Sequence, residues 1–243
     1  MEVKYYQKQY DCEDSHWWYL GRRSVIRRLL QAFTSKKNHA VLEIGCGSGG
    51  SLPLLAKFGE SVTAVEMEPI AVEEARSRGV AEVVQGKLGD KLAVFDRQYD
   101  LIALFDVLEH IEDDAEALRQ IRALLAPKGR LIITVPAYPF LWSQHDLVAH
   151  HHRRYTRARL LQLCRDQGYR VCYASYFNTL LFPFAMIALL ASRFLSASPD
   201  VAMRQPWTPV NGVLTAIFKF EAFLVPRLRL PFGLSIAVVA EAA

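Results

Sequence analysis

The stretch VLEIGCGSGG (41–50) decides how this chain folds. A short apolar run, HAVLEI (39–44), meets a glycine cluster and then SLPLLAKFG (51–59), a helical pattern that stops at Gly59. A strand, a tight glycine turn and a helix in that order mark the carboxyl end of a strand in an open α/β sheet, where such sheets bind ligands. Gly45, Gly47 and Gly49 leave no side chain to obstruct a nucleotide-like ligand, and they permit dihedrals that other residues avoid. Gly45, Gly47 and Gly50 also satisfy GxGxxG, the dinucleotide spacing. A glycine turn that binds nothing is the third reading.

Outward from this turn the pattern alternates. SVTAVE (61–66), AEVVQG (81–86), YDLIALF (99–105), RLIITVP (130–136) and YRVCYASYF (169–177) read as strands. Between them lie helical patterns: PIAVEEARSRG (69–79), with Pro69 near its start and Gly79 at its end, DDAEALRQIRALLAPKG (113–129) and TRARLLQLCRDQG (156–168). The second places Leu118, Ile121, Leu124 and Leu125 on one face and is expected to end at Pro127 and Gly129. Such alternation argues for parallel βαβ units with helices on both faces of one sheet. Upstream, SVIRRLLQAF (24–33) spaces Val25, Leu29 and Leu30 as a helix with Arg27 and Arg28 turned outward. Residues 177–232 break the rhythm with two helical segments, 179–195 and 210–225, apolar on most faces, before a last strand LSIAVVAEA (234–242).

The 243 residues suit one domain with its own core, and a 51% hydrophobic content excludes a disordered chain. Net charge is only +4, too little for a general nucleic-acid footprint. Cys12, Cys46, Cys164 and Cys172 form no CxxC pair and read as reduced thiols of a cytoplasmic protein. The N-terminus lacks the layout of a signal peptide. The uncharged run from Thr179 to Ser192 is too short to span a bilayer and is cut by Pro183.

Glu66 ends the second strand, where a carboxylate accepts hydrogen bonds from both hydroxyls of a ribose; Glu68 is the competing acid. Glu43 makes the glycine turn ExGxGxG, placing an acid where dinucleotide folds carry an apolar residue. FDVLEHIEDD (105–114) follows the fourth strand. With these residues and LLAPKGRLIITVP (124–136), the sequence resembles the class I S-adenosylmethionine (SAM) dependent methyltransferases. The branch it resembles includes ubiquinone-biosynthesis O-methyltransferases and other small-molecule enzymes.

That resemblance implies a Rossmann-like, doubly wound α/β sheet of seven strands. It is mostly parallel, with the last strand antiparallel and inserted between the fifth and sixth. It implies one methyltransferase domain over 1–243, with a helical cap at 1–38 and an apolar helical insertion at 177–232. The implied cofactor is SAM. Glu43, Gly45, Cys46, Gly47 and Gly49 line its methionine and ribose, Glu66 holds the ribose, and Met67 lies alongside. The adenine loop is GKLGD (86–90); relatives carry an acid where this chain has Lys87, which moves the contact to Leu88 or Asp90. Phe105 and Asp106 would lie near the methyl group.

Methyl transfer needs alignment above all, and a general base when the acceptor is a hydroxyl. The candidates are His110, expected at the start of a helix, His145 and His150. His145 and Asp146 read as a base and its orienting acid, while Arg153 and Arg154 beside Tyr155 suit an anionic group. Against these stand a capping or core role for His110 and a solvated loop at 143–156. No metal site is expected: three consecutive histidines at 150–152 cannot all face one ion in regular structure, and no acid cluster accompanies them. HWWYLGRR (16–23) is either a docked helix or a lid over the cofactor cleft.

The expected acceptor is a small molecule, and the apolar insertion suggests a lipid- or isoprenoid-linked one. A peripheral membrane contact or a homodimer is also expected, and no nucleic acid. The alternatives are an NAD-dependent oxidoreductase, which Glu43 and DVLEH disfavour, and a non-catalytic SAM-binding scaffold at a membrane.

Overall fold

The computed structural model describes residues 10–34, 40–187 and 206–243. Its strands are β1 (Ala40–Ile44), β2 (Ser61–Glu66), β3 (Glu82–Gln85), β4 (Tyr99–Phe105), β5 (Leu125–Pro136), β6 (Tyr169–Phe177) and β7 (Ser235–Ala242). They form one sheet in the order β3-β2-β1-β4-β5-β7-β6. β7 runs antiparallel to both β5 and β6, and the other pairings are parallel. This is the seven-stranded Rossmann-like arrangement implied by the sequence. In β1, Val41 to Ile44 are all buried, as expected of a central parallel strand covered on both faces.

The helices are α1 (Trp17–Phe33), α2 (Leu52–Leu55), α3 (Pro69–Ser77), α4 (Asp114–Ala123), α5 (Gln144–Val148), α6 (Arg157–Asp166) and α7 (Thr208–Leu224). On one face of the sheet Val25, Ile26 and Leu29 of α1, Val72 of α3 and Phe218 of α7 pack over Val41, Ala64 and Ile132. On the other, Leu118 and Ile121 of α4 and Leu160 of α6 pack over Leu42, Ile102 and Ile133.

The segments that flank the sheet in sequence meet in space. α1 approaches α7 so closely at Gly21 that a Cβ there would overlap the Phe218 ring. Asn211 of α7 accepts a hydrogen bond from the Trp17 amide at 2.9 Å and donates to the Ser15 carbonyl at 2.9 Å. Arg28, expected to face outward, lies over the Phe223 ring at 4.2 Å; Arg27 is exposed.

Two local expectations change. α4 ends at Ala123, and Leu125 already belongs to β5, opposite Tyr99. The Tyr99 amide takes the Leu124 carbonyl at 2.8 Å, so sheet pairing ends the helix before Pro127 does. The ladder then shifts register, with Lys128 at a φ of 66° and Gly129 against the Tyr99 carbonyl. His110 closes a 3-10 turn, Leu108–His110, and the helix begins four residues later behind the Asp113 cap. Of the expected 179–195 helix, residues 182–187 are helical and the remainder lies outside the described residues. Among the described residues no helix is long and apolar enough to cross a membrane. All four cysteines are free thiols.

Candidate functional site

The turn after β1 is held open by backbone geometry. Gly45, Gly47 and Gly49 have φ of 70°, 55° and 81°, values that favour glycine. A Cβ on Gly45 would lie 2.6 Å from the Val107 side chain. Glu66, at the end of β2, pins this turn. Its carboxylate accepts the Gly47 amide at 2.9 Å, and also the Met67 and Glu68 amides at 2.8 and 3.0 Å. The Gly86 amide, from the turn after β3, takes the Glu66 carbonyl at 2.8 Å, so three strand ends converge on one residue.

Glu43 is buried at the end of β1, with one oxygen accepting from Ser51 Oγ and the other, Oε2, without a partner. Burial pushes its carboxyl up to about 8, against the opposing pull of Ser51 and Arg22. Asp106, just past β4, has a φ of 59° and pairs with the Arg22 guanidinium from α1. Arg22 also lies over the Trp18 ring at 4.7 Å. Burial works against its charge, but the Asp106 carboxylate outweighs that and raises its pKa.

Glu13 and Arg78 complete this wall, and neither stood out in the sequence. They form an ion pair, Arg78 donates to the Ser48 carbonyl at 2.8 Å, and Glu13 fills the space a Cβ on Gly50 would need. Of the remaining expected cofactor contacts, Cys46 and Phe105 are buried and Met67 is exposed. Leu88 packs partly into the core. The Asp90 carboxylate accepts the Lys87 amide at 2.9 Å, closing its own turn.

A second cluster follows β4 and β5. Asp146 is buried and accepts from the Ser143 amide at 2.8 Å and from Arg154 Nε and Nη2 at 2.7 and 2.9 Å. Ser143 Oγ donates to it as well, at 3.1 Å, and its Oδ1 also lies 2.8 Å from His151 Nδ1, so Asp146 orients His151. These bonds hold its carboxyl well below the usual range, overcoming the effect of burial. His145 lies at 6.1 Å from His151, ring to ring, and burial lowers its pKa. Arg153 and Arg154, expected to face an anionic group, are paired with Asp114 and Asp146. His150 takes a positive φ of 56° at the bend.

His110 stands edge-on to His151 with ring centres 4.6 Å apart; burial lowers it to about 3, and His151 adds to the effect. Glu109 is fully buried and neither of its carboxylate oxygens has a partner; burial raises its pKa far above the usual carboxylate range. One ligand atom from each of Glu109, His110 and His151 lies within 4.8 Å of the others. Of the three consecutive histidines at 150–152 only His151 joins this group; its other two members come from the turn after β4.

Beside this cluster lies an aromatic group that the sequence did not announce. Tyr138 stacks on Tyr176 at 5.1 Å and 13°, and Phe140, Phe182 and Phe232 continue the contact.

A family model described as a methyltransferase domain matches residues 17–174, which span α1 to β6. The chain belongs to this methyltransferase domain family. Among curated proteins, it is 32% identical over 127 residues to one from Mycobacterium tuberculosis named "Probable S-adenosylmethionine-dependent methyltransferase". That match covers 52% of this chain and 45% of the relative. It is also 32% identical over 118 residues to the mitochondrial ubiquinone biosynthesis O-methyltransferase of Schizosaccharomyces pombe, covering 45% of this chain and 41% of that one. The match thus spans under half the length of either relative. Among solved structures, a methyltransferase in complex with the Trm112 methyltransferase activator of Haloferax volcanii shares the fold. Its TM-score is 0.64 at 18% identity, covering 98% of this chain and 94% of that one.

Two features of the turn after β1 suit SAM. The glycine turn has no room for side chains, and the buried Glu43 oxygen without a partner lies at the same strand end.

Proposed function

We propose that this chain transfers the methyl group of SAM to a small-molecule acceptor. The observation that carries the reading is the pairing of two carboxylates, Glu43 and Glu66, around the Gly45–Gly49 turn, with one Glu43 oxygen unpartnered. When bound, SAM supplies a methyl group already activated by its sulfonium.

The residues of the chain then bind and orient. Gly45, Cys46, Gly47 and Gly49 receive the methionine and ribose, and Glu66 exchanges backbone partners for ribose hydroxyls. Met67 and Leu88 border adenine. Arg22 and Asp106 provide a cation and an anion suited to the carboxylate and ammonium of the amino-acid end, and Phe105 lies beside them. His110, His145 and Asp146 belong to the acceptor side, with Asp146 acting on position through His151. The α1 segment serves as the cap, and 177–232 as an apolar cover within a single domain. An NAD-dependent role is disfavoured because Glu43 puts a buried polar group where dinucleotide folds carry an apolar residue.

A second feature favours a greasy acceptor or a lipid surface. The outer side of α7 exposes Val213, Phe220 and Phe223 near Lys219 and Arg227, with the helix's Glu221 turned inward and buried. Apolar residues rimmed by cations suit an anionic lipid interface. Incubating the protein with labelled SAM and fractionated metabolite and lipid extracts tests the reading. Label transferred to a discrete compound supports it; SAM bound with no label transferred from any fraction points to a non-catalytic SAM-binding module.

A further inference from the structure

We propose that a cleft on the open edge of β6 binds a phosphoryl group, free or at the head of a lipid. Arg157 and Arg165 of α6 line it, together with Arg229 from the segment after α7. Its volume of about 220 Å³ is below the roughly 300–1,000 Å³ of pockets that enclose drug-sized ligands, so it suits a small ion or a head group. β6 is the last strand of the sheet, and β4, β5 and β7 separate it from the glycine turn after β1. The cleft is therefore distinct from the SAM turn, and its occupancy does not rest on the methyl-transfer reading.

Uncompensated charge is the strongest pointer. No carboxylate lines the cleft, and among the described residues none of the three arginines is ion-paired. Glu241 of β7, opposite Arg170, is already paired with both Arg130 and Arg170. Asp166, at the end of α6, accepts from Gln162. Three guanidinium groups around one cavity repel one another, and a dianion with several oxygens offsets them through forked hydrogen bonds. A phosphate monoester or a pyrophosphate supplies both the charge and the oxygens; a lone carboxylate supplies one charge.

The fold holds these arginines in place. Arg157, Leu161 and Arg165 follow one another at four-residue steps, so they share one side of α6. The Arg157 guanidinium lies over the Tyr176 ring at 5.6 Å, and the Arg157 amide donates to the Tyr176 hydroxyl at 3.2 Å. Arg229 is fixed on both sides. The Leu228 carbonyl accepts from the Tyr173 hydroxyl at 2.9 Å, and the Leu230 amide donates to Ser175 Oγ at 2.8 Å. Between these anchors β6 bulges: Val171 pairs with Ala240 and Tyr173 with Val239, which leaves Cys172 as the extra residue, lining the cleft.

Calorimetry of the full chain in phosphate-free buffer, with pyrophosphate as the probe, tests the site. One site per chain is expected. Arg157→Gln and Arg229→Gln should each weaken it by roughly tenfold or more, the effect of losing a charge-assisted bond, while circular dichroism stays native. Arg159→Gln, an exposed neighbour on α6 outside the cleft, should bind like wild type. Alkylation reports the location, because Cys172 is the one thiol of the four that is not buried. Pyrophosphate should slow its reaction with iodoacetamide, followed by mass spectrometry. Vesicles then separate the two sources. Flotation with phosphatidic acid, a monoester, that falls in the Arg157→Gln/Arg229→Gln double variant more than flotation with phosphatidylglycerol assigns the cleft to a lipid head group. Pyrophosphate binding without that difference assigns it to a soluble ligand. A wild-type chain that binds no pyrophosphate and floats no better than the double variant overturns the proposal. So does pyrophosphate bound equally by wild type and both single variants, or bound without protecting Cys172.

Discussion

Arg22 of α1 and Asp106 beyond β4 form an ion pair across 84 residues of sequence, at the carboxyl edge of the sheet. Both side chains are largely shielded, with 13% and 18% exposure, so the pair is screened less than a surface salt bridge. Through it the N-terminal helix reaches the turn that DVLEH begins. If Arg22 meets the carboxylate of the amino-acid end, Arg22→Met weakens S-adenosylhomocysteine by about tenfold or more, the effect of losing one charge-assisted bond. Methylthioadenosine, which lacks that end, should bind both proteins alike. Equal losses for the two ligands by calorimetry would assign Arg22 to cleft structure alone.

Glu43 sets a pH dependence whose sign is fixed by its environment. Unfolded, a glutamate titrates near 4.3, and in the fold burial raises Glu43 to about 8. Between those values the native state holds the extra proton, so its contribution to stability falls as pH rises from about 4.3 to 8. Glu13 and Glu109, also raised by burial, act in the same direction. The difference between wild type and Glu43→Gln isolates this residue. The variant should lose less stability over that window in urea unfolding at pH 5, 6.5 and 8. Parallel curves would show that Glu43 is ionised throughout.

Gly21 tests the docking of α1 on α7. An added methyl group overlaps the Phe218 ring, and overpacking of this kind costs about 1–3 kcal/mol. In a chain of this size Gly21→Ala should lower the melting temperature by roughly 2–4 °C per kcal/mol. Adding Phe218→Ala should give a double variant less destabilised than the sum of the single changes. A Gly21→Ala protein that melts with wild type would mean that the two helices sit farther apart.

The outer face of α7 predicts flotation with anionic vesicles, weakened by salt. Phe220 and Phe223 are 61% and 51% exposed, so replacing both by serine should abolish flotation, with only the small fall in melting temperature that loss of the Arg28–Phe223 contact brings. A wild-type chain that stays in solution and elutes as a clean dimer would make this face a contact between copies.

The sheet was legible because its central strands are continuous apolar runs bounded by glycine and proline, a pattern set by burial on both faces. The end of α4 was not, since Leu124 and Leu125 keep helical spacing while Tyr99 draws them into the sheet. The cofactor-side residues were named from the family resemblance that the glycine motif, Glu66 and DVLEH carry. Arg22 was hidden because an arginine near aromatic residues on a helix reads equally as surface. The Glu109–His110–His151 group and the stack of Tyr138 on Tyr176 join segments distant in sequence, and no local pattern signals such contacts. His151 rather than His145 as the ring held by Asp146 depends on the bend at His150, which the repeated histidines disguised.

The central claim is that the Gly45–Gly49 turn and Glu66 bind SAM, and calorimetry with S-adenosylhomocysteine tests it most directly. The account predicts one site per chain, no heat from NAD, and a Glu66→Ala variant weakened by roughly 1.5–3 kcal/mol. Because Glu66 also pins the Gly47 amide, that variant should melt lower as well. Binding of NAD without binding of S-adenosylhomocysteine would contradict the account.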